Sequence, residues 1–219
     1  MRKLLLLRPE PGLSASAERA RALGLEVIAC PLFRVEPVAW EAPDPAEFDA
    51  LLLTSANAVR LGGLELAKLR DLPVNAVGEA TAAAAREAGF HVETIGTGNA
   101  VDLLAGLPRS LKLLHVAGED HRHIGDRPIE RRIAYRSQAI EDPRLPSLQG
   151  IVAAVHSPRA GKRLAEMVPV RGETAIAAIS TAASEACGSG WERLDVAEEP
   201  NDKSLLALAA SLCHTPYPQ

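Results

Sequence analysis

The chain has few aromatic residues and few cysteines, and each shortage excludes a class of protein. Only 3% of its 219 residues are aromatic, so the stacking surfaces that bind single-stranded nucleic acid are not expected. The three cysteines, Cys30, Cys187 and Cys213, are widely spaced, and none belongs to a Cys-x-x-Cys pair. This pattern predicts reduced thiols in a reducing compartment rather than a disulfide framework.

The sequence also lacks an excess of positive charge and any long apolar run. Its formal net charge of −4 gives no overall attraction to nucleic acid or to an acidic membrane surface. No apolar stretch reaches the roughly 18 residues that span a membrane, and residues 4–7 are too short for the core of a signal peptide. We therefore expect a cytoplasmic protein that contacts neither nucleic acid nor membrane.

Recognisable cofactor and metal motifs are missing as well. Gly96-Thr97-Gly98 lacks the third glycine of a dinucleotide fingerprint, because Val101 stands in its place. There is no phosphate-binding P-loop and no Gly-x-Ser-x-Gly nucleophile elbow. We interpret residues 119–123 as a solvated turn, since His121 and His123 would point to opposite sides of an extended chain. The expectation is an enzyme or binding protein with no cofactor and no metal.

What the sequence does contain is an alternation of short apolar segments with amphipathic or alanine-rich helical segments. This alternation is typical of an α/β fold, in which helices cover both faces of a parallel sheet. The strands that it predicts are 3–8, 25–30, 49–54, 73–77, 112–117, 151–156 and 174–179.

The chain also repeats itself. Residues 49–107 match residues 151–209 with a constant shift of 102 positions, which relates Ser55 to Ser157 and Asn99 to Asn201. A fainter repeat relates residues 3–37 to residues 112–143. The chain therefore consists of four units in the order A, B, A, B, which must pair to build covered sheets.

Two pairings are possible: consecutive units, or an inner pair enclosed by an outer pair. Segments 33–37 and 136–143 favour the second, because both are β-prone, end in proline and resemble each other. We interpret them as two antiparallel linker strands. The prediction is one discontinuous domain of residues 1–34 plus 143–219 and a second domain of residues 38–135.

Polar residues follow four of the predicted strands, at the edge where parallel sheets place their ligands. Helix capping alone could explain the serines and threonines, because they satisfy free amides of a first helical turn. Their recurrence at corresponding positions of two lobes favours a shared cleft, where hydroxyls, free amides and helix dipoles would bind carboxylates. The candidate residues are Thr54, Ser55, Asn57, Gly78, Thr81, Ser157, Ser180 and Thr181.

Three further side chains are candidates for the same cleft. Arg8 follows the first strand and Arg159 follows a strand in another unit, so either guanidinium could bind a carboxylate, although both could equally be solvated surface residues. Tyr135 is one of only two tyrosines and lies where the chain leaves the second domain. Its hydroxyl can donate a hydrogen bond, but the ring could also serve packing alone.

Taken in order, these motifs resemble the uroporphyrinogen-III synthase family over nearly the whole chain. The resemblance rests on Leu7-Arg8-Pro9, the run from Leu53 to Val59, Val77-Gly78-Glu79-Ala80-Thr81, Ala134-Tyr135-Arg136, His156-Ser157-Pro158-Arg159-Ala160 and Ala178-Ile179-Ser180. One position departs from the family pattern: Ala183 stands where the family usually has a second threonine, with Thr181 and Ser184 nearby as substitutes.

The resemblance implies two flavodoxin-like domains joined by a two-stranded linker, and a monomeric lyase without cofactors. The family's substrate is hydroxymethylbilane, a linear tetrapyrrole with eight carboxylates, which loses its terminal hydroxyl as water. Ring D is inverted through a spiro intermediate, and the product is uroporphyrinogen III. The resemblance implies that Tyr135 hydrogen-bonds the departing hydroxyl or orients ring D, and that the residues named above bind carboxylates.

Two other functions remain open on sequence alone. The absence of an unmistakable catalytic group is compatible with a noncatalytic binding or regulatory module on the same scaffold. A nucleotide- or metal-dependent α/β enzyme is the third possibility, although the phosphate loops and ligand clusters that it would need are missing.

Overall fold

The computed structural model describes residues 1–97, 99–120 and 124–215. The chain divides into two units. Unit 1 contains Met1–Arg34 and the chain from Ala139 onward, whereas unit 2 is the continuous segment Val35–Gln138. Residues 121–123 of the turn predicted at 119–123, and the glycine Gly98, lie outside the described residues.

Strands and helices alternate through both units. The strands are β1 (Leu4–Leu6), β2 (Val27–Ala29), β3 (Phe33–Pro37), β4 (Ala50–Leu53), β5 (Val74–Val77), β6 (Val92–Gly96), β7 (Leu113–Gly118), β8 (Glu130–Ala139), β9 (Val152–Val155), β10 (Ala175–Ala178) and β11 (Arg193–Val196). The helices are α1 (Gly12–Ala22), α2 (Ala56–Leu61), α3 (Gly63–Ala67), α4 (Glu79–Glu87), α5 (Ala100–Ala105), α6 (Pro158–Met167), α7 (Thr181–Cys187) and α8 (Asp202–His214).

The two units build sheets with the same spatial order from different stretches of chain. In unit 1 the order is β2-β1-β9-β10-β11, all parallel, which is the 2-1-3-4-5 order of flavodoxin-like folds. In unit 2 the parallel strands follow the order β8-β7-β4-β5-β6. The sheet positions that β2 and β1 occupy in unit 1 are occupied in unit 2 by β8 and β7, so the first two strands of unit 1 along the chain correspond to the last two of unit 2. The α/β class with two parallel sheets, predicted from the sequence, is confirmed.

Strand β3 extends the sheet of unit 2 beyond β8. The amide of Val38 donates to the carbonyl of Ala134, and the amide of Ile140 donates to the carbonyl of Leu32. As the residue number rises along β3, the number of the hydrogen-bonded residue on β8 falls. The two strands therefore run antiparallel.

The seven predicted strands all form, within two residues of their predicted ends. Most of their Leu, Ile, Val and Ala side chains are buried on both sheet faces, as in β1, where Leu4, Leu5 and Leu6 have no exposed surface, but those of the edge strand β2 are half-buried or exposed. The sequence did not predict β6, β11 or the first half of β8. β6 and β11 are edge strands whose side chains are half-buried or exposed, and β8 begins with charged residues, so the apolar signal is weak there.

The shift of 102 positions reappears in the positions where helices begin. Three pairs of helices begin 102 residues apart: α2 and α6, α4 and α7, and α5 and α8. Strands β4 and β9 begin 102 residues apart as well. Capping explains much of this regularity: Ser55 and Ser157 accept the amides of Asn57 and Ala160, and Asn99 and Asn201 cap the last helix of each repeat.

Candidate functional site

Unit 2 contains a cavity of about 380 Å³ at the carboxyl ends of its strands. Thr54 follows β4 directly, Val77 and Gly118 end β5 and β7, and Ala100 begins α5, so the cavity lies at the edge where parallel sheets bind ligands. Six of the residues that line it are polar: Thr54, Ser55, Asn99, His115, Asp120 and Tyr135. The structure thus brings together three of the predicted site residues, Thr54, Ser55 and Tyr135.

Tyr135 packs closely over the end of β7. A Cβ atom at Gly118 would lie 2.6 Å from Cε2 and Cζ of the Tyr135 ring and 3.0 Å from its hydroxyl oxygen. Any side chain at position 118 would therefore displace the ring. The glycine allows the half-buried tyrosine to present its hydroxyl at the cavity wall.

Thr54 is held by a histidine that the sequence reasoning did not single out. His115 lies on β7, has no exposed surface, and places Nε2 3.1 Å from Oγ1 of Thr54. On the other side of the ring, Nε of Arg131 donates to Nδ1 of His115 at 3.3 Å. A chain of three polar side chains therefore crosses the sheet beneath the cavity.

The other candidates of unit 2 lie in helical first turns. Ser55 caps α2 with its hydroxyl, 3.2 Å from the amide nitrogen of Asn57. Gly78 precedes α4 with φ of +83°, a conformation that favours glycine, and Thr81 is only 4% exposed. Of the residues described here, Ser55 lines the cavity but Asn57, Gly78 and Thr81 do not.

The hydroxyl candidates of unit 1 also serve as helix caps. The hydroxyl of Ser157 accepts the amide of Ala160 at 3.2 Å, and that of Ser180 accepts the amide of Ala183 at 3.3 Å. Thr181 is exposed at the start of α7, whereas Ala183 is fully buried and Ser184 is half-buried. The capping interpretation therefore accounts for the two serines but not for Thr181.

The two predicted arginine clamps have partners within unit 1. Nη1 of Arg8 donates to Oδ1 of Asp202 and to Oγ of Ser16, both at 2.9 Å. The guanidinium of Arg159 lies over the ring of Phe33, 4.5 Å from its centroid. Arg8 is therefore not an uncommitted cation, because a carboxylate of the same chain already neutralises it.

Asp202, the first residue of α8, is the centre of this second polar cluster. Its Oδ1 also accepts from Oγ of Ser16 at 2.6 Å and from Nε2 of His156 at 2.9 Å, and its Oδ2 accepts from Arg19. A carboxylate at a helix N-terminus is further stabilised by the helix dipole.

The pKa values in this cluster reflect a competition between burial and hydrogen bonding. Burial alone would raise the pKa of the Asp202 carboxyl, but hydrogen bonds from His156 and Ser16 outweigh it, so this pKa lies well below its ordinary value. Burial lowers the pKa of His156, against the opposing effect of its hydrogen bond to Asp202. At neutral pH the cluster therefore contains an ionised aspartate and a neutral histidine.

The sequence contained signals for the residues that were missed. His115 is the only polar side chain in the otherwise apolar β7, and a lone polar residue in a buried strand needs a partner. Asp202 follows the capping residue Asn201, a position where an acidic residue is common for helical reasons alone. Neither signal identifies the partner, because Arg131 and Arg8 are brought close only by strand order.

The described part of the chain has neither a cluster of metal ligands nor a membrane-spanning helix. No group of three or more His, Cys, Asp or Glu residues there could hold a metal ion. None of the helices described is both long and apolar enough to cross a membrane.

Comparison with known proteins places these features in context. The sequence model of the family described as uroporphyrinogen-III synthase HemD matches residues 14–207. No significant match was found among curated protein sequences.

Two solved structures resemble the fold. Uroporphyrinogen-III synthetase from Helicobacter pylori has 18% sequence identity and a TM-score of 0.70, covering 97% of this chain and 100% of its own. A mutant uroporphyrinogen III synthase from the extremely thermophilic bacterium Thermus thermophilus has 18% identity and a TM-score of 0.55, covering 96% of this chain and 98% of its own. At these identities the structures support the two-sheet α/β fold.

Proposed function

Because the chain belongs to the uroporphyrinogen-III synthase family, we propose that it cyclises hydroxymethylbilane, with loss of water and inversion of ring D, to give uroporphyrinogen III. In this reading it is a hydro-lyase of haem biosynthesis. The family match over residues 14–207 is the observation that carries the proposal, and it favours an enzyme over a noncatalytic module.

The cavity of unit 2 is the proposed site of the reacting end of the substrate. Ligand pockets usually have volumes of about 300–1,000 Å³, so a cavity of about 380 Å³ suits one substituted pyrrole ring better than a whole tetrapyrrole. We assign ring D and its carboxylates to this cavity. Thr54 and Ser55 supply hydroxyls in its wall that can donate hydrogen bonds to carboxylate oxygens.

Tyr135 is the proposed catalytic residue. Its hydroxyl would donate a hydrogen bond to the departing hydroxyl group of hydroxymethylbilane, which leaves as water, or would hold ring D in the orientation for attack. The pyrrole nitrogens supply the electrons for these steps, so the protein contributes mainly geometry and hydrogen bonding. This division of labour agrees with a cavity wall in which Thr54, Ser55 and Tyr135 carry hydroxyl groups.

The remaining carboxylates need further donors, and the predicted residues outside the cavity are proposed for this purpose. These residues are Asn57, Gly78, Thr81, Ser157, Arg159, Ser180 and Thr181, with free amides of the adjacent helical turns. Arg8 would bind a carboxylate only through N–H groups that Asp202 and Ser16 do not already occupy.

We further propose that the enzyme acts as a monomer in the cytoplasm.

The deciding experiment is an assay of product isomers. Purified protein is incubated with freshly generated hydroxymethylbilane, the products are oxidised, and the type I and type III uroporphyrins are separated. Spontaneous closure gives type I, so a type III fraction that grows with protein concentration is the expected result. Type I alone, from protein shown to be folded by circular dichroism, would refute the proposed function.

A further inference from the structure

We propose that His115 is a positioning residue, which fixes the Thr54 hydroxyl as a hydrogen-bond donor directed at a carboxylate in the unit 2 cavity. The inference rests on the proposed function, because that function supplies the carboxylate ligand. It adds a residue that does not belong to the motifs by which the chain resembles its family.

The sheet register brings the side chains of Arg131, His115 and Thr54 together. His115 on β7 is paired with Leu52 on β4 and with Arg131 on β8. Side chains of paired residues lie on the same face of a sheet, and Thr54 lies on that face too, two residues after Leu52. The imidazole therefore occupies the space between the guanidinium of Arg131 and the hydroxyl of Thr54.

The arrangement fixes the tautomer of His115. A guanidinium can only donate hydrogen bonds, so Nδ1 of His115, which receives the bond from Nε of Arg131, must be the unprotonated acceptor nitrogen. The ring proton is therefore on Nε2. An imidazolium would have no acceptor for Arg131, so the ring is neutral in this geometry.

The tautomer in turn fixes the role of Thr54. Nε2–H of His115 donates to Oγ1 of Thr54 at 3.1 Å, so the hydroxyl oxygen accepts this bond and its own proton must be directed elsewhere. Thr54 lines the cavity, where a ligand carboxylate can only accept. The hydrogen bonds from Arg131 to His115 and from His115 to Thr54 therefore favour a ligand atom that accepts a hydrogen bond from Thr54 and disfavour one that donates.

The first test measures the tautomer itself in the intact wild-type protein. Nitrogen-15 NMR distinguishes the two neutral tautomers and the imidazolium, and the signals of His115 are assigned by their absence in the His115→Gln variant. We expect the Nε2–H tautomer at neutral pH, in the absence of ligand. Observation of the Nδ1–H tautomer or of an imidazolium would overturn the proposal, whether or not the protein is active.

The second test asks whether His115 acts through Thr54. The variants His115→Leu, Thr54→Val and their combination are compared for KM, kcat and the Kd of uroporphyrin, an octacarboxylate whose binding requires no turnover. Each single variant should raise KM and Kd about 5–10-fold with kcat changed less than about 2-fold, and the double variant should be no weaker than Thr54→Val. Effects that multiply in the double variant would overturn the proposal.

Two further variants complete the design. His115→Gln keeps an N–H donor near the position of Nε2, so it should restore the Kd to within about 3-fold of wild type, whereas an exposed control, His91→Leu, should change nothing. If His115→Leu does not fold, His115→Met, which also lacks an N–H donor, replaces it in the cycle. A protein that shows the tautomer and the coupling but forms no type III isomer would refute the proposed function and leave this inference standing.

Discussion

The carboxyl edges of the two sheets have the same backbone plan but carry different chemistry. Thr54 of unit 2 and His156 of unit 1 are related by the 102-residue shift, and so are Ala100 and Asp202. In unit 2 the small Ala100 lines a cavity whose polar wall residues are three with hydroxyl groups, together with Asn99, His115 and Asp120. In unit 1 the carboxylate of Asp202 occupies the corresponding helix start and binds cations and a histidine of its own unit.

The difference shows how a duplicated scaffold can divide its tasks. At the first residue of the last helix, unit 1 has Asp202, which binds Arg8, Arg19 and His156, whereas unit 2 has an alanine. The ionic cluster is expected to stabilise unit 1, and the hydroxyls of the unit 2 cavity are proposed to bind substrate. The predictions below test this contrast, beginning with the largest expected effect.

Removing the Asp202 charge should cost unit 1 the most stability. Asp202→Asn leaves Arg8 and Arg19 without a counter-charge and replaces one of the two acceptor oxygens by an NH2 donor, and the Asp202 side chain is only 17% exposed. Arg19 is 56% exposed and therefore partly screened by solvent, so we expect a loss of about 2–3 kcal/mol in the free energy of unfolding of unit 1.

The measurement is urea unfolding followed by the fluorescence of Trp191 in a Trp40→Phe background, because Trp191 belongs to unit 1 and Trp40 to unit 2. The matched control is Glu26→Gln, which breaks the exposed ion pair of Lys3 and Glu26. That control should cost no more than about 0.5 kcal/mol. Equal losses in the two variants would show that the Asp202 cluster adds nothing beyond a surface pair.

In unit 2 the largest effect should be on the reaction rather than on stability. Tyr135→Phe removes the proposed donor, so kcat should fall about 100-fold with KM nearly unchanged. Gly118→Ala should also lower kcat, because the added methyl group would lie 2.6 Å from the Tyr135 ring and displace it. Steady-state assays of type III product check both variants, and an unchanged kcat in Tyr135→Phe would remove the catalytic assignment.

Placing the acidic residue of unit 1 at the corresponding position of unit 2, Ala100, should have a smaller effect on the reaction. Ala100→Asp places the carboxylate of unit 1 in the cavity wall of unit 2, where it should repel substrate carboxylates and raise KM about 10-fold at low ionic strength. Ala100→Asn has nearly the same size without the charge and should raise KM less than about 3-fold. If both variants behave alike, bulk rather than charge distinguishes the two edges.

The smallest predicted effect is a pH dependence of stability that belongs to unit 1. Burial lowers the pKa of His156 from its ordinary 6.5, so below pH 6.5 the unfolded chain binds a proton that the folded chain does not. Stability should therefore fall as pH decreases from 6.5 toward the lowered pKa, by roughly 1 kcal/mol per pH unit.

Unfolding of unit 1 monitored between pH 7.5 and 5.5 (about one unit above and below the ordinary histidine pKa) measures this slope. The variant His156→Gln should flatten it, whereas the exposed His91→Gln should leave it unchanged. Asp202 acts at lower pH: its pKa is depressed, so its contribution is present above 3.8 and is lost as pH falls below that value. A slope that survives His156→Gln would assign the pH dependence to another group.

The fold was predictable to the extent that its signals are local. Apolar runs, most of them buried on both faces like Leu51–Leu53 of β4, gave the seven predicted strands, and serine or asparagine caps begin α2, α5, α6, α7 and α8. The edge strand β11 escaped prediction because the charged residues Arg193 and Asp195 interrupt its apolar residues.

The candidate site was predictable only in part, for a related reason. Thr54, Ser55 and Tyr135 were identified from their places after strands or near a domain end, and they line one cavity. His115 was missed because its importance depends on Arg131, 16 residues away on a neighbouring strand. Arg8 was identified as a cation at a strand end, but its partner Asp202 could not be foreseen.

The sequence by itself determined the alternation of strands and helices, the repeat and the residues that cap α2, α5, α6, α7 and α8, because these depend on contacts between near neighbours in the chain. Only the tertiary structure decided which polar side chains meet. Arg8 and Asp202 lie 194 residues apart, and they meet because α8, which Asp202 begins, packs against β9, the strand next to β1. A strand order of this kind is set by the burial of whole sheet faces, which no local pattern records.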